Sequence, residues 1–180
     1  LNGFVYNDGV HHLFAQRWWS AWLHAVSTDL IHWTELKPAF GKGGKFGGTQ
    51  SGGGVVDWNN CSGLGDGHEP PMIAFWSSTD NRNQCISYSL DKGRTWTKYA
   101  KNPVLVHPYR DPKVFWYEPD RKWIMILYVK KFEIFVSKNL IDWTHSGSME
   151  LEGFHECPDF FELPVDGHPD DTRWVVVDAA

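Results

Sequence analysis

Two acidic residues stand out for their settings. Asp111 lies in Arg110-Asp111-Pro112-Lys113-Val114-Phe115, and Glu156 lies in Glu156-Cys157-Pro158-Asp159-Phe160-Phe161, each just ahead of an apolar, strand-prone run. Aligned on those runs, the two carboxylates fall level with one another. Where such runs line a common channel, their first residues meet in one pocket although they are far apart in the chain. Carboxylates meeting in a polar pocket are the equipment of glycosidic cleavage. One, protonated, gives its proton to the leaving oxygen; another, ionised, attacks or stabilises the oxocarbenium-like centre. Their surroundings must push the two pKa values apart. Taken singly, an Asp or Glu ahead of a strand serves equally well as a turn cap, and it is the equivalence of the two that points to chemistry. Ser51 falls near the same place in another unit, and in the first unit that place precedes Leu1.

Other groups that could do chemistry fare less well. His11, His12, His68, His155 and His168 recur at no metal-ligand spacing, so no metal is expected. The glycine-rich stretch 41–54 has no Lys-Ser/Thr signature and no helix pattern after it, so it reads as a long connection and not as a phosphate cradle. Cys61, Cys85 and Cys157 are too few and too scattered for a disulfide framework or a zinc site.

The elements that must position the carboxylates are legible as a repeat. Ser27-Thr-Asp29-Leu-Ile-His-Trp33-Thr34, Ser89-Leu-Asp91-Lys-Gly-Arg-Thr-Trp96-Thr97 and Ser137-Lys-Asn139-Leu-Ile-Asp-Trp143-Thr144 share one pattern. The tryptophans recur at intervals near the ~40 to 50 residues of a four-stranded propeller blade, the first interval being lengthened by the glycine-rich stretch. Strand signals fill each unit. In the first they run Gly3 to Tyr6, His12 to Gln16, His24 to Ser27 and Trp33 to Leu36, with Asn7-Asp8-Gly9 as a hairpin turn. The second runs from Gly54-Val55-Val56 through Met72 to Trp76 and Cys85 to Ser89, then Trp96-Thr97. The third has Val114 to Tyr117, Trp123 to Val129, Phe132 to Val136 and Trp143-Thr144. Phe160 to Leu163 and Trp174 to Val177 begin a fourth. The chain 1–180 is therefore predicted to be all-β, about three and a half blades of an antiparallel propeller. A β-sandwich with similar hairpins is the alternative, and the Ser…Trp-Thr repeat speaks against it.

Composition narrows the partners. With 17 basic against 22 acidic residues and a net charge of -5, there is no basic stripe for nucleic acid and no polybasic membrane patch. The longest apolar run, Trp123 to Val129, is far below the ~20 residues that span a bilayer. Eleven tryptophans and 16% aromatic residues suit an all-β core or a sugar-stacking cleft. The chain opens on Leu1, so any export signal is expected upstream.

These stretches, in this order, resemble glycoside hydrolase family 32, the β-fructofuranosidases of the invertase, inulinase and levanase type. The resemblance rests on Leu1-Asn2-Gly3-Phe4-Val5-Tyr6, His24-Ala25-Val26-Ser27 with Asp29-Leu30-Ile31-His32-Trp33, Ser51-Gly52 before Val55-Val56-Asp57, Arg110-Asp111-Pro112 and Glu156-Cys157-Pro158-Asp159. It implies a five-bladed propeller that releases terminal fructose from sucrose, inulin or levan with retention, without a cofactor. By the same resemblance, Glu156 is the acid/base and Asp111 the transition-state stabiliser. Asn2, Gln16, Trp22, Ser51 and Arg110 line or tune the fructose pocket, and the partner is a fructose-containing oligo- or polysaccharide. The family nucleophile, an Asp, would stand immediately before Leu1, so residues 1–180 alone are expected to be inactive. Their uncompleted blade is expected to leave strand edges open to association. The family's longer loop between Gln16 and His24 is reduced here to Arg17-Trp-Trp-Ser-Ala-Trp-Leu23, Gln50 replaces the usual Phe before Ser51, and Leu1 replaces Pro. A different propeller glycosidase, a non-catalytic sugar-binding relative and a purely structural propeller are the competing readings.

Overall fold

In the computed structural model, residues 2–18, 20–41, 46–128, 130–150 and 156–179 are described. Leu1, Trp19 and His155, singled out above, lie outside them, as do residues 42–45 of the glycine-rich stretch. The described chain is all-β. Four strands, β1 (Gly3–Asn7), β2 (Val10–Arg17), β3 (Ala21–Ser27) and β4 (Thr34–Glu35), form the first sheet in sequence order. The next two sheets repeat it: β5 (Thr49–Val56), β6 (Met72–Ser78), β7 (Gln84–Ser89), β8 (Thr97–Lys98), then β9 (Arg110–Tyr117), β10 (Lys122–Tyr128), β11 (Phe132–Ser137), β12 (Thr144–Met149). A hairpin of β13 (Glu156–Val165) and β14 (His168–Ala179) follows. Every paired strand is antiparallel, and β1, β5, β9 and β13 contact one another in that order as the inner strands. This is the geometry of propeller blades around an axis. Asp8 and Gly9, both with positive φ, make the two-residue turn between β1 and β2, as Asp-Gly between strands foretells.

The shared Ser…Trp pattern is a turn device between the third and fourth strands of each blade. Ser27 Oγ accepts from Leu30 N at 2.9 Å, Asp29 Oδ1 accepts from Ile31 N and His32 N, and Trp33 Nε1 donates to Leu30 O. Ser89, Asp91 and Trp96 repeat the arrangement, with Trp96 Nε1 donating to Gly93 O at 3.0 Å. Ser137, Asn139 and Trp143 do so again. Small side-chain acceptors thus satisfy turn N–H groups that no strand reaches.

The tryptophans also wedge the blades together. Trp96 meets Phe14 of the first blade edge-on at 5.6 Å, and Trp143 meets Phe75 of the second at 5.9 Å. They belong to two apolar clusters, one holding Phe14, Trp22 and Trp76 and the other Phe75, Met125 and Leu127. Each fully buried ring of this size contributes about 2 to 3 kcal/mol of transfer free energy.

The second half of the glycine-rich stretch differs from the sequence expectation. It is strand β5 from Thr49, not a connection. Glycine is needed there because β5 is crowded by its paired strand β6 and by the inner strand β1. A Cβ on Gly52 would stand 1.9 Å from Phe75 O, and one on Gly54 would stand 2.7 Å from Val5 Cγ2. A close-approach glycine carries no local turn signature, and so it reads as loop in a sequence.

Candidate active site

Three of the four inner strands open with an irregularity of register. In β5 the pairs Thr49↔Ser78 and Gly52↔Trp76 leave two residues facing one; in β9, Arg110↔Tyr128 and Lys113↔Ile126 do the same, and in β13, Glu156↔Ala179 and Asp159↔Val177. These are β-bulges, which re-aim side chains at the rim of a sheet. The register of β9 and β13 corrects the alignment of the two carboxylates: Asp111 stands level with Cys157, whereas Glu156 stands level with Arg110. The one-residue offset arises because the bulged pair is Asp111-Pro112 in one strand and Cys157-Pro158 in the next. Asp111 and Cys157 both adopt left-handed φ, 59° and 48°, at a cost of about 1 to 2 kcal/mol for each non-glycine residue. Prolines are tolerated beside them because an innermost strand has no further partner on its axial edge.

The bulges bring the two carboxylates to neighbouring blades at one end of the axis. Asp111 is buried, and its Oδ2 accepts from the backbone N–H of Cys157 at 3.3 Å, bulge to bulge. Arg110 joins the acids: its Nε lies 3.6 Å from Asp111 Oδ2 and its Nη2 contacts Glu156 Oε1. Burial raises the pKa of Asp111 above the usual carboxylate value, opposed by the Cys157 N–H, the Arg110 charge and the Ser51 hydroxyl.

A cavity of about 230 Å³ opens on Asp111 and Ser51, with Gly3, Phe4 and Cys157 in its walls. Lys113 and Asp159, which also line it, form an ion pair of 2.5 Å across the two blades. Asn2, Gln16 and Trp22, expected in the pocket wall, form a layer behind it instead. With its amide oxygen turned toward them, Asn2 accepts from Gln16 N at 3.1 Å and from Trp22 Nε1 at 2.9 Å. Trp22 Nε1 also lies 2.9 Å from Gln50 O, and Ser51 Oγ donates to Gln16 Oε1 at 3.3 Å. The Trp22 ring is fully buried against Phe14 and Phe40, so its role is to hold Asn2 and Gln50 in place. Gln16 Nε2 and Gln50 Oε1 are buried without a partner among the described residues, a donor and an acceptor left beside Ser51.

The sequence reading missed Gln50 and the Lys113–Asp159 pair. Both were within reach, since Gln50 precedes Ser51 and the two charged residues follow the two X-Pro steps at equal distance. The short connection between β2 and β3 is a tight hairpin in which Ser20 N donates to Arg17 O at 3.0 Å. Its exposed Trp18 lies under the Arg17 guanidinium at 5.1 Å. No group of three or more His, Cys, Asp or Glu among the described residues could hold a metal.

Four-stranded blades with acidic residues bulged toward the mouth of the axis define a propeller of the glycoside-hydrolase kind. The chain belongs to glycosyl hydrolases family 32, whose N-terminal domain model matches residues 1–179. It is 46% identical to the levanase of Bacillus subtilis (strain 168), over 97% of this chain and 28% of that protein. It is 41% identical to invertase 1 of Saccharomyces cerevisiae, over 86% and 32%. Among solved structures, the β-fructofuranosidase of Schwanniomyces occidentalis complexed with fructosyl-erythritol superposes with a TM-score of 0.87 at 36% identity, covering 97% of this chain and 39% of that one. The exo-inulinase of Aspergillus awamori gives 0.87 at 32% identity, with 97% and 42% covered. The chain thus spans less than half the length of each of these relatives.

Proposed function

We propose that the protein containing this chain hydrolyses terminal β-D-fructofuranosyl bonds in sucrose, inulin or levan with retention, and that residues 1–180 are part of its catalytic propeller. The observation that carries this reading is the bulge-to-bulge geometry, which sets Asp111 in the wall of a cavity and ties Glu156 to it through Arg110. Glu156, partly exposed, is the proton donor to the leaving oxygen and the base in the second half of the reaction. Asp111, dry and braced by the Cys157 N–H, holds fructose hydroxyls more tightly as charge develops on the ring, and Ser51, held from behind by Gln16, completes that grip. The attacking carboxylate is assigned, from the family resemblance, to the residue just before Leu1.

The test is fructose release by the full-length protein from sucrose, inulin and levan. Glu156→Gln is expected to lower kcat about 10²- to 10⁴-fold while leaving KM within a few fold. Residues 1–180 alone are expected to show no turnover. Fructose release by that piece would remove the assignment of the nucleophile, and an unimpaired Glu156→Gln enzyme would remove the acid/base.

A further inference from the structure

The opposite end of the first two blades carries a recess that fructoside cleavage does not use. Asn7 and Val10 flank the β1–β2 turn, and Lys92 and Arg94 lie in the β7–β8 turn. Strand direction puts both turns at the far end from the bulges. Here the first blade departs from the other two. His12 pairs with Val26, one residue before Ser27; the matching residues are Ile73, opposite Tyr88, and Ile124, opposite Val136. His24, three residues before Ser27, matches Ile86 and Ile134. Two isoleucines of the blade pattern are thus a buried histidine pair, with His12 Nδ1 and His24 Nε2 3.0 Å apart.

One nitrogen of that pair is left over. His12 is 2% exposed and its Nε2 has no partner among the described residues; Asn7 is 3% exposed and its Nδ2 has none either. A buried polar group without a partner costs roughly 1 to 3 kcal/mol, so two of them in one place call for an occupant. Both residues line a cavity of about 460 Å³. Val10, Val26 and Leu36 supply its apolar surface, while Lys37, Lys92 and Arg94 supply three positive charges. No carboxylate lines it: Asp8 and Glu69, which pair with Lys92 at 2.6 and 3.3 Å, lie outside the lining.

Apolar walls, two cations that remain uncompensated among the described residues, Lys37 and Arg94, and two buried nitrogens match one ligand chemistry. We propose that this cleft between the first and second blades binds a small organic anion, a carboxylate carried on a short apolar body, with Asn7 Nδ2 and His12 Nε2 donating to the carboxylate. His12 has its proton on Nε2 when His24 Nε2–H donates to His12 Nδ1, so one tautomer satisfies both the pair and the ligand. Lys37 and Arg94 close over the anion from the rim, and the three aliphatic residues take its body.

The experiment is a calorimetric titration of benzoate into the full-length protein, with saturating fructose present to occupy the axial cavity. Benzyl alcohol serves as the neutral isostere. Benzoate is expected to bind, benzyl alcohol to bind at least about tenfold more weakly, and the Lys37→Ala/Arg94→Ala double variant to weaken benzoate about tenfold or more while leaving fructose release unchanged. Both substitutions are at rim positions, so folding is not at stake. The proposal is overturned if benzoate shows no binding at ~10 mM, near the weak limit of such ligands, if benzyl alcohol binds equally well, if the double variant binds benzoate like the parent, or if fructose displaces it.

Discussion

The two ends of the propeller obey different rules. At the far end, the Ser…Trp turns repeat three times, each with the Ser hydroxyl accepting from the N–H two residues on and the Trp indole donating to a turn carbonyl. At the axial mouth three inner strands, β5, β9 and β13, each set two residues opposite one, with a left-handed residue in β9 and β13, yet the side chains diverge. Gln50, Arg110 and Glu156 share one place, and Ser51, Asp111 and Cys157 share the next. A turn that needs its own side chains for closure must keep them. A bulge closed by backbone pairing on either side leaves its side chains free for chemistry. Constancy therefore marks the fold, and divergence at a recurring bulge marks the site.

Substitutions that set one end against the other test this contrast. The largest effect on stability is expected at the mouth, from Gly52→Ala. Its Cβ would meet Phe75 O at 1.9 Å, and the inner strand cannot yield without disturbing its neighbours, so a loss of about 3 kcal/mol or more is expected in denaturant unfolding. Gly9→Ala at the far end meets no atom within 4 Å and bears only the strain of φ +80°, about 1 kcal/mol. Equal losses for the two would contradict the view that the mouth is the tightly packed end.

Acid should act mainly on the first blade. Burial holds His12 below its ordinary pKa and brings His24 down to about 4, with the neighbouring histidine adding to each shift. In the unfolded chain both titrate near 6.5, so between about 6.5 and 4 the unfolded state binds more protons and stability falls as pH falls. The loss from His24 is on the order of 3 kcal/mol by pH 4, and His12 adds to it in the same direction. Tm against pH measures it, and replacing both residues with Ile, as in the other blades, should flatten the profile in that window.

A smaller effect is expected from Asp91→Ala. It removes the acceptor for Thr95 N at 2.8 Å and for the hydroxyls of Ser89 and Thr95, at about 1 to 2 kcal/mol. The smallest has the opposite sign. Because burial raises the pKa of Asp111, the fold disfavours its ionised form at neutral pH, and Asp111→Asn should stabilise by less than about 1 kcal/mol while reducing fructose release. A Tm that drops on this change would mean that the Cys157 N–H bond outweighs the desolvation.

Much of the architecture could be read before any coordinates. Ser, Asp or Asn, and Trp at fixed offsets announce a hydrogen-bonded turn because all of its donors and acceptors lie within seven or eight residues. Asp8-Gly9 announces a two-residue hairpin for the same local reason. The candidate carboxylates were visible too, since Asp111 and Glu156 each precede a proline and an apolar run. The fate of Trp22 was not legible, because whether an indole lines a pocket or backs it depends on Phe40 and Gln50, which arrive from another segment of the chain. Nor was strand β5 recognisable in a run of glycines, whose requirement comes from Phe75 on the paired strand and from Val5 across the blade interface. The one-residue offset between Asp111 and Glu156 belongs to the same class: bulge register is set by the facing strands, Tyr128 and Ile126 in one blade and Ala179 and Val177 in the next. Interactions that close within a few residues are written into local order, whereas those that depend on the separation of packed blades come into being when the blades meet.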